Sequence, residues 1–470
     1  MTPRHIAVID IGKTNAKLAL VDGESLTELA VETRPNTVLC GPPWPHFDLE
    51  GHWIFLRDAL ARMQAAHGID AISVTTHGAA CVLLDQAGDL AAPMLDYEYK
   101  GPDDLRAQYD ALRPGFHETG SPRLPAGLNL GAQLHWQFAT DPDLAARCAH
   151  VVTYPQYWGF RLTGNFATDV TSLGCHSDLW NPWTGMPSSL VDKLGLSGKL
   201  APARKSSDII GTVSPEVAAQ TGLSTSTPVA CGIHDSNASL YPYLCAAHAA
   251  NDGPKPSDQP FSVVSTGTWV VAMAVGGTDG RNLDPARDTL VNVNALGNPV
   301  PSARFMGGRE FEVIRQGISG APTPADRAAV LDGIFLLPAI EPATGPFPDR
   351  RGGFSRQPRT PGARLLALSW YLALMTDQCL DLIGAKGPVI IEGPFGRNRD
   401  FLEMLGCLRP DPVEAAQSAT GTSVGSAMLF IPAHTAQPGT RIHSMEPEKL
   451  RDYAQRWRAM TAQAHAGETA

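Results

Sequence analysis

Apolar and polar positions alternate along this chain in blocks that predict short strands and amphipathic helices in turn. His5–Ile9 is an apolar, β-branched run, Asp10-Ile11-Gly12-Lys13-Thr14-Asn15 is a polar turn, and Ala16–Val21 resumes the strand before an Asp22-Gly23 turn. The pattern returns much later: Phe261–Val264 reads as a strand, Ser265-Thr266-Gly267-Thr268 as a small polar turn, and Trp269–Val275 as a second strand. Two hairpins with hydroxyl-and-glycine turns, roughly 250 residues apart, are either an internal duplication or a coincidence of pattern.

Between the hairpins, Gly51–His67 has helical apolar spacing and Asp70–Thr75 reads as a buried strand. Ser214-Pro215 opens a short helix, Glu216–Gln220, with the serine as its cap. Thr227–Cys231 is another strand; Gly232-Ile233-His234-Asp235 and a helical run, Ser236–Cys245, follow it. The Pro/Gly/Asp-rich stretch Ala246–Gln259 marks a domain boundary, which predicts domains at 1–245 and 246–470. Pro388–Ile391 then reads as a strand, Glu392–Asn398 as a glycine-containing loop and Arg399–Leu408 as a helix, with a polar peripheral helix and a frayed end after Ile431. Alternating strands and helices in two blocks predict α/β architecture in both domains.

Length supports this division, since 470 residues exceed one comfortable core. A net charge of −10 argues against nucleic acid as a partner. No apolar run approaches the roughly 20 residues needed to span a bilayer, and no basic-then-apolar leader opens the chain. The eight cysteines include no CxxC pair and are expected to be buried free thiols in a reducing compartment, so the cytoplasm is the expected location.

The first turn has the parts of a phosphate cradle. Thr14 and Asn15 offer hydrogen bonds, Lys17 adds positive charge, and Asp10 is placed to hold a hydrated magnesium ion; an ordinary hairpin turn explains the same residues. Thr266-Gly267-Thr268 repeats that logic in the second hairpin. Asp235, at a helix N-terminus, reads either as a cap or as a general base for an attacking hydroxyl. His234 is a core histidine or a sugar contact. The Gly393-Pro394-Phe395-Gly396-Arg397-Asn398 loop and Thr76-His77-Gly78 both end strands, and either could face a ligand. Zinc-ligand spacing is absent from the sequence.

Taken in order, these segments resemble the FGGY family of carbohydrate kinases, of the actin and hexokinase superfamily. IAVIDIGKTNAKLALVD is similar to its first phosphate motif. FRLTGNFATDVTSLGCHSDLWNPWTG, with Leu162-Thr163-Gly164, Thr168-Asp169 and Asp178, is similar to its middle segment. IIGTVSPEVAAQTGLSTSTPVACGIHDSNASL leads to the catalytic aspartate, which falls on Asp235. VVSTGTWVVAM resembles the second phosphate motif and GTSVGSAML the closing helix, with Gly425 on a family glycine.

The resemblance implies two duplicated actin-like, ribonuclease H-like α/β domains with a cleft between them, and transfer of the ATP γ-phosphoryl group to a small sugar. It implies Asp235 as general base, Asp10 as the Mg2+-site carboxylate, and Thr14, Asn15 and Lys17 near the transferred group. Thr266, Gly267 and Thr268 become ATP phosphate contacts, and Gly393, Phe395 and Asn398 the nucleotide-side loop. His77, Gly78, Asp96, Glu98 and His234 become sugar contacts, and a homodimer is compatible with the family. His234-Asp235-Ser236 and Ala303–Ile314 are similar to kinases of L-rhamnulose and L-fuculose; xylulose and ribulose are the alternative acceptors. Leu95-Asp96-Tyr97-Glu98-Tyr99-Lys100 stands where the family commonly has an aromatic residue, an aspartate and an arginine. A silent sugar- or nucleotide-binding regulator and an actin-like filament subunit are the readings from other classes. Asp10 and Asp235 count against the first and the sugar-pocket segments against the second.

Overall fold

The computed structural model describes residues 2–249, 259–416, 421–432, 439–441, 443–444 and 446–463. The chain forms two compact units. The first comprises residues 1–253, 291–299 and 420–436; the second comprises 254–290, 300–419 and 437–470. Of the expected boundary stretch Ala246–Gln259, residues 250–258 lie outside the described residues, as does the expected frayed end at 464–470.

The first unit is built on a sheet in the order Ile209–Thr212, Pro228–Ala230, Ala71–Thr76, His5–Ile11, Asn15–Asp22, Glu28–Pro35. His5–Ile11 pairs antiparallel with Asn15–Asp22, which pairs antiparallel with Glu28–Pro35. On its other side it runs parallel to Ala71–Thr76, followed by Pro228–Ala230 in parallel and Ile209–Thr212 antiparallel. The central strands are buried on both faces, which explains their continuous apolar runs. Glu28–Pro35, on the sheet edge, alternates between half-buried and exposed residues.

The second unit repeats this arrangement strand for strand. Phe261–Thr266 pairs antiparallel with Val270–Val275, which pairs antiparallel with Pro299–Phe305. Val389–Glu392 and then Val413–Ala415 add in parallel, and Thr440–Arg441 closes antiparallel. Two independent hairpins would have no reason to share six strand directions in one order, so the fold resolves the ambiguity in favour of duplication. The helix Pro361–Leu382 crosses the second unit's core with Trp370 and Tyr371 fully buried. No helix among the described residues is long and apolar enough to cross a membrane.

Local chemistry fixes the elements that carry the site. Ser214 caps Pro215–Thr221 by accepting from the Val217 amide at 3.3 Å, as its sequence signature requires. The helix Asp235–Ala249 packs on Gly421–Ala427 within the first unit, where a Cβ on Gly425 would sit 1.8 Å from the Ala238 carbonyl oxygen. Only glycine permits that approach. All eight cysteines are free; Cys40 is exposed and the rest are buried, so the expectation of buried thiols fails at Cys40, which lies in an exposed Pro/Gly turn.

Candidate active site

Antiparallel pairing sets Asp10 opposite Lys17, and this register puts both side chains on one face of the hairpin. Lys17 Nζ lies 3.1 Å from Asp10 Oδ2 and 3.3 Å from Glu28 Oε1. Burial works against the Lys17 charge, yet the two carboxylates outweigh it and raise the ammonium above its ordinary value. Thr422 and Ser423 each donate a hydroxyl to Asp10 Oδ2 at 2.9 Å. All three contacts fall on one oxygen of the carboxylate. Thr14 and Asn15 are exposed at the turn, which is closed by Gly12 N–H donating to the Asn15 carbonyl at 2.9 Å.

A Cβ on Gly12 would meet only the Asn15 carbonyl, at 3.8 Å, and one on Gly267 only the Trp269 carbonyl, at 3.9 Å. The fold itself therefore demands glycine at neither turn, although glycine costs backbone entropy.

His77 and Gly78 follow the strand Ala71–Thr76, and Ile233–His234 pairs parallel to the end of that strand, so His234 aligns with Thr76. His77 is buried and held neutral: burial lowers its pKa to about 4. The charges of Asp235, Lys13 and His234 all reach it. Its Nδ1 lies 2.9 Å from the Gly78 carbonyl, which can only accept, so the proton is on Nδ1 and Nε2 presents a lone pair. That Nε2 is buried and has no partner among the described residues. A buried acceptor left unpaired costs about 1–3 kcal/mol, which a hydroxyl donor would relieve.

Asp235 opens its helix with Oδ1 engaged three times. It accepts from Ser236 N–H at 2.6 Å and Ser236 Oγ at 3.3 Å, and lies 3.2 Å from His234 Nε2. Burial opposes charge on His234, but Cys175 and Asp235 beside it push the imidazole up to about 9. Burial likewise works to raise Cys175, and the charges of His176 and His234 overcome it and hold the thiol well below its ordinary value. Asp235 remains a third exposed. The backbone of this segment is fixed from the side: His234 N–H donates to Thr171 Oγ1 at 2.9 Å, and Asp169 accepts from the amides of Thr171 and Ser172 and from Ser206 Oγ. Asp178 is a structural residue here. It is fully buried on Arg113, with Arg113 Nη2 at 2.9 Å, and accepts from Tyr109 OH at 2.5 Å.

Asp96 and Glu98 also belong to this side of the first unit, paired with Lys13. Lys13 is not among the site residues expected from the sequence. Its partners lie more than 80 residues away along the chain, and no spacing rule links them.

In the second unit, Thr266 Oγ1 donates to the Glu392 carbonyl at 2.6 Å and accepts from Phe395 N–H at 3.1 Å, locking the Thr266-Gly267-Thr268 turn to the Gly393 loop. Gly393 has φ +86°, and a Cβ there would come within 2.2 Å of the Thr266 carbonyl. Gly267 and Thr268 are exposed. Two residues expected on the nucleotide-side loop have other partners. The Phe395 ring is buried against Phe401 and Phe311, and Asn398 caps the helix Arg399–Leu408 while its Nδ2 donates to Ser369 Oγ.

The donor set bears on magnesium. No group of three or more His, Cys, Asp or Glu side chains suited to a metal gathers among the described residues. A single carboxylate, Asp10, with its contacts on one oxygen, does not make a cage. It does fit a magnesium ion that keeps most of its waters and takes phosphate oxygens from a nucleotide.

Comparison with known proteins follows the same lines. The family model for the FGGY family of carbohydrate kinases, N-terminal domain, matches residues 117–241, and that for carbohydrate kinase FGGY, C-terminal domain, matches 258–439. The L-fuculokinase of Escherichia coli (strain K12) is 24% identical over 287 residues, which cover 58% of this chain and 57% of that protein. The rhamnulokinase of Klebsiella pneumoniae subsp. pneumoniae is 25% identical over 211 residues, covering 41% of this chain and 43% of that protein. The matches thus span about half the length of these curated relatives. A carbohydrate kinase from Novosphingobium aromaticivorans, of solved structure, is 36% identical, with a TM-score of 0.84 covering 99% of this chain and 100% of the other.

Proposed function

Because the chain belongs to the FGGY family of carbohydrate kinases, we propose that it transfers the γ-phosphoryl group of ATP to a hydroxyl of a small neutral sugar, with Asp235 as the general base. The observation that carries this reading is the set of contacts on Asp235. Ser236 and His234 occupy Oδ1 and fix the carboxylate's orientation, which leaves Oδ2 to accept a proton.

As the acceptor oxygen attacks phosphorus, its proton passes to Asp235 Oδ2. A phosphorus–oxygen bond to the sugar forms, the bond from the γ-phosphorus to the bridging oxygen breaks, and ADP leaves with that electron pair. The first unit is the sugar-binding domain and the second the nucleotide-binding domain in this reading. His77 Nε2 accepts from a sugar hydroxyl, and His77 and Asp96 line the acceptor's place. Gly12, Thr14 and Asn15 are the phosphate contacts that the first unit's turn offers; Thr266, Gly267 and Thr268 are those that the second unit's turn offers. The two glycines that the fold does not require support this. Asp10 is the residue that would hold magnesium, whose charge would offset that of the phosphates. Lys17, whose ammonium pairs with Asp10 and Glu28, holds the Asp10 carboxylate in place.

The acceptor is a 6-deoxyketohexose of the L-fuculose or L-rhamnulose type, supported by the relatives' names and by the His234-Asp235-Ser236 segment. The free cysteines and ATP dependence suit the cytoplasm. ADP release from Mg-ATP across L-fuculose, L-rhamnulose, D- and L-xylulose, D- and L-ribulose, erythrulose and glycerol tests the reading. One sugar should stand at least tenfold above the rest; silence across the panel from folded, ATP-binding protein would overturn it.

A further inference from the structure

Lys13 belongs by sequence to the first phosphate turn, where a lysine would ordinarily reach for phosphate. The structure turns it the other way. Its ammonium pairs with Asp96 Oδ1 and lies 3.6 Å from Glu98 Oε2. It also rests over the faces of Tyr97, 4.6 Å from the ring centroid, and Phe47, at 5.0 Å. The Lys13 side chain is only 15% exposed, so most of the stem is fixed by packing. The His77 ring contacts the same two aromatics, at 5.2 Å from Tyr97 and 5.1 Å from Phe47.

Three features therefore converge on one place: a paired cation and carboxylate, two aromatic faces, and the buried, unpartnered lone pair of His77 Nε2. We propose that Lys13 is a specificity-determining residue for the acceptor, gripping adjacent hydroxyls of a neutral polyol jointly with Asp96. The inference rests on the kinase reading above.

Chemistry favours a polyol over a phosphate at this lysine. An ammonium carries three N–H donors; Asp96 takes one and Glu98, at 3.6 Å, lies beyond hydrogen-bond reach, so donors remain for ligand oxygens. The two carboxylates outnumber the cation, so the cluster as a whole repels an anion and would disfavour a sugar acid. A neighbouring pair of hydroxyls, in contrast, can receive from Lys13 and donate to Asp96 at once. A third hydroxyl can donate to His77 Nε2, and the apolar face of the sugar can lie on Tyr97 or Phe47.

The test separates acceptor from nucleotide. Lys13→Met is assayed in the full-length protein by ADP release, using whichever of L-fuculose, L-rhamnulose, L-xylulose and L-ribulose the wild type turns over, with sugar and ATP varied separately. Affinity for Mg-ATP is measured directly by calorimetry. The expected result is a loss of about 10–100-fold in kcat/KM for the sugar, chiefly in KM, with ATP affinity within about twofold of wild type. Lys13→Arg, which preserves the charge paired with Asp96, should recover part of the loss. A tenfold weakening of ATP binding, or an unchanged sugar KM, would overturn the proposal. The calorimetric result overturns the proposal whether or not the wild type accepts any of the four sugars; acceptance of none would count against the kinase reading separately.

Discussion

Gly425→Ala isolates the close packing that holds the proposed catalytic helix. The added methyl carbon would lie 1.8 Å from the Ala238 carbonyl oxygen and 2.7 Å from its carbon, well inside ordinary contact at about 3.5 Å. Both atoms are backbone, so no side chain can swing aside; Gly421–Ala427 or Asp235–Ala249 must retreat by more than an ångström. Overpacking of this kind costs about 1–3 kcal/mol. The retreat also strains the buried pair of Ser73 with Ser426, whose hydroxyls are 2.7 Å apart and where Ser73 Oγ donates to the Ser426 carbonyl at 2.8 Å. Leaving such groups unpaired adds about 1–3 kcal/mol. A total near 4 kcal/mol corresponds to a fall of about 8–16 °C in Tm for a unit of this size. Thermal unfolding followed by circular dichroism would show it, with activity lost before the melt because Thr422 and Ser423 on the same helix hold Asp10. A variant that melts within 2 °C of wild type would refute the reasoning.

Thr266→Val removes both hydrogen bonds that tie the Thr266-Gly267-Thr268 turn to the Gly393 loop. KM for ATP should rise about tenfold with the sugar KM unchanged, and steady-state kinetics with each substrate varied would reveal the opposite pattern if the loop served the sugar. The pH dependence of stability has two limbs. His77 and His52 have folded values of about 4, below the unfolded 6.5, so their contribution is present above pH 6.5 and is lost as pH falls through 4. His234, raised to about 9, contributes fully below pH 6.5 and loses that contribution as pH rises through 9. Urea midpoints should therefore peak near pH 6.5, and a flat profile from 4 to 9 would contradict both assignments.

Much of the framework was legible because it depends on local pattern. The two hairpins, the Ser214 cap and the Asp235 helix follow from residues within a few positions of one another, and each appears within one to four residues of its expected bounds. What escaped depends on contacts across the chain. Thr422 and Ser423 reach Asp10 over more than 400 residues, and Lys13 reaches Asp96 over 83. The Gly393 loop shows a different limit. The resemblance implies Phe395 on the nucleotide-side loop, and its ring packs against Phe401 and Phe311, contacts that a loop's sequence does not announce. The strand Glu28–Pro35 went unread although it supplies the carboxylate that shares Lys17.

The most direct test of the account is the turnover of Asp235→Asn. With Mg-ATP and the preferred sugar of the panel, the variant should retain the wild-type melting temperature to within a few degrees and the wild-type sugar KM to within about threefold, while kcat falls about 10²–10⁴-fold. Turnover within tenfold of wild type would remove Asp235 from the role of general base.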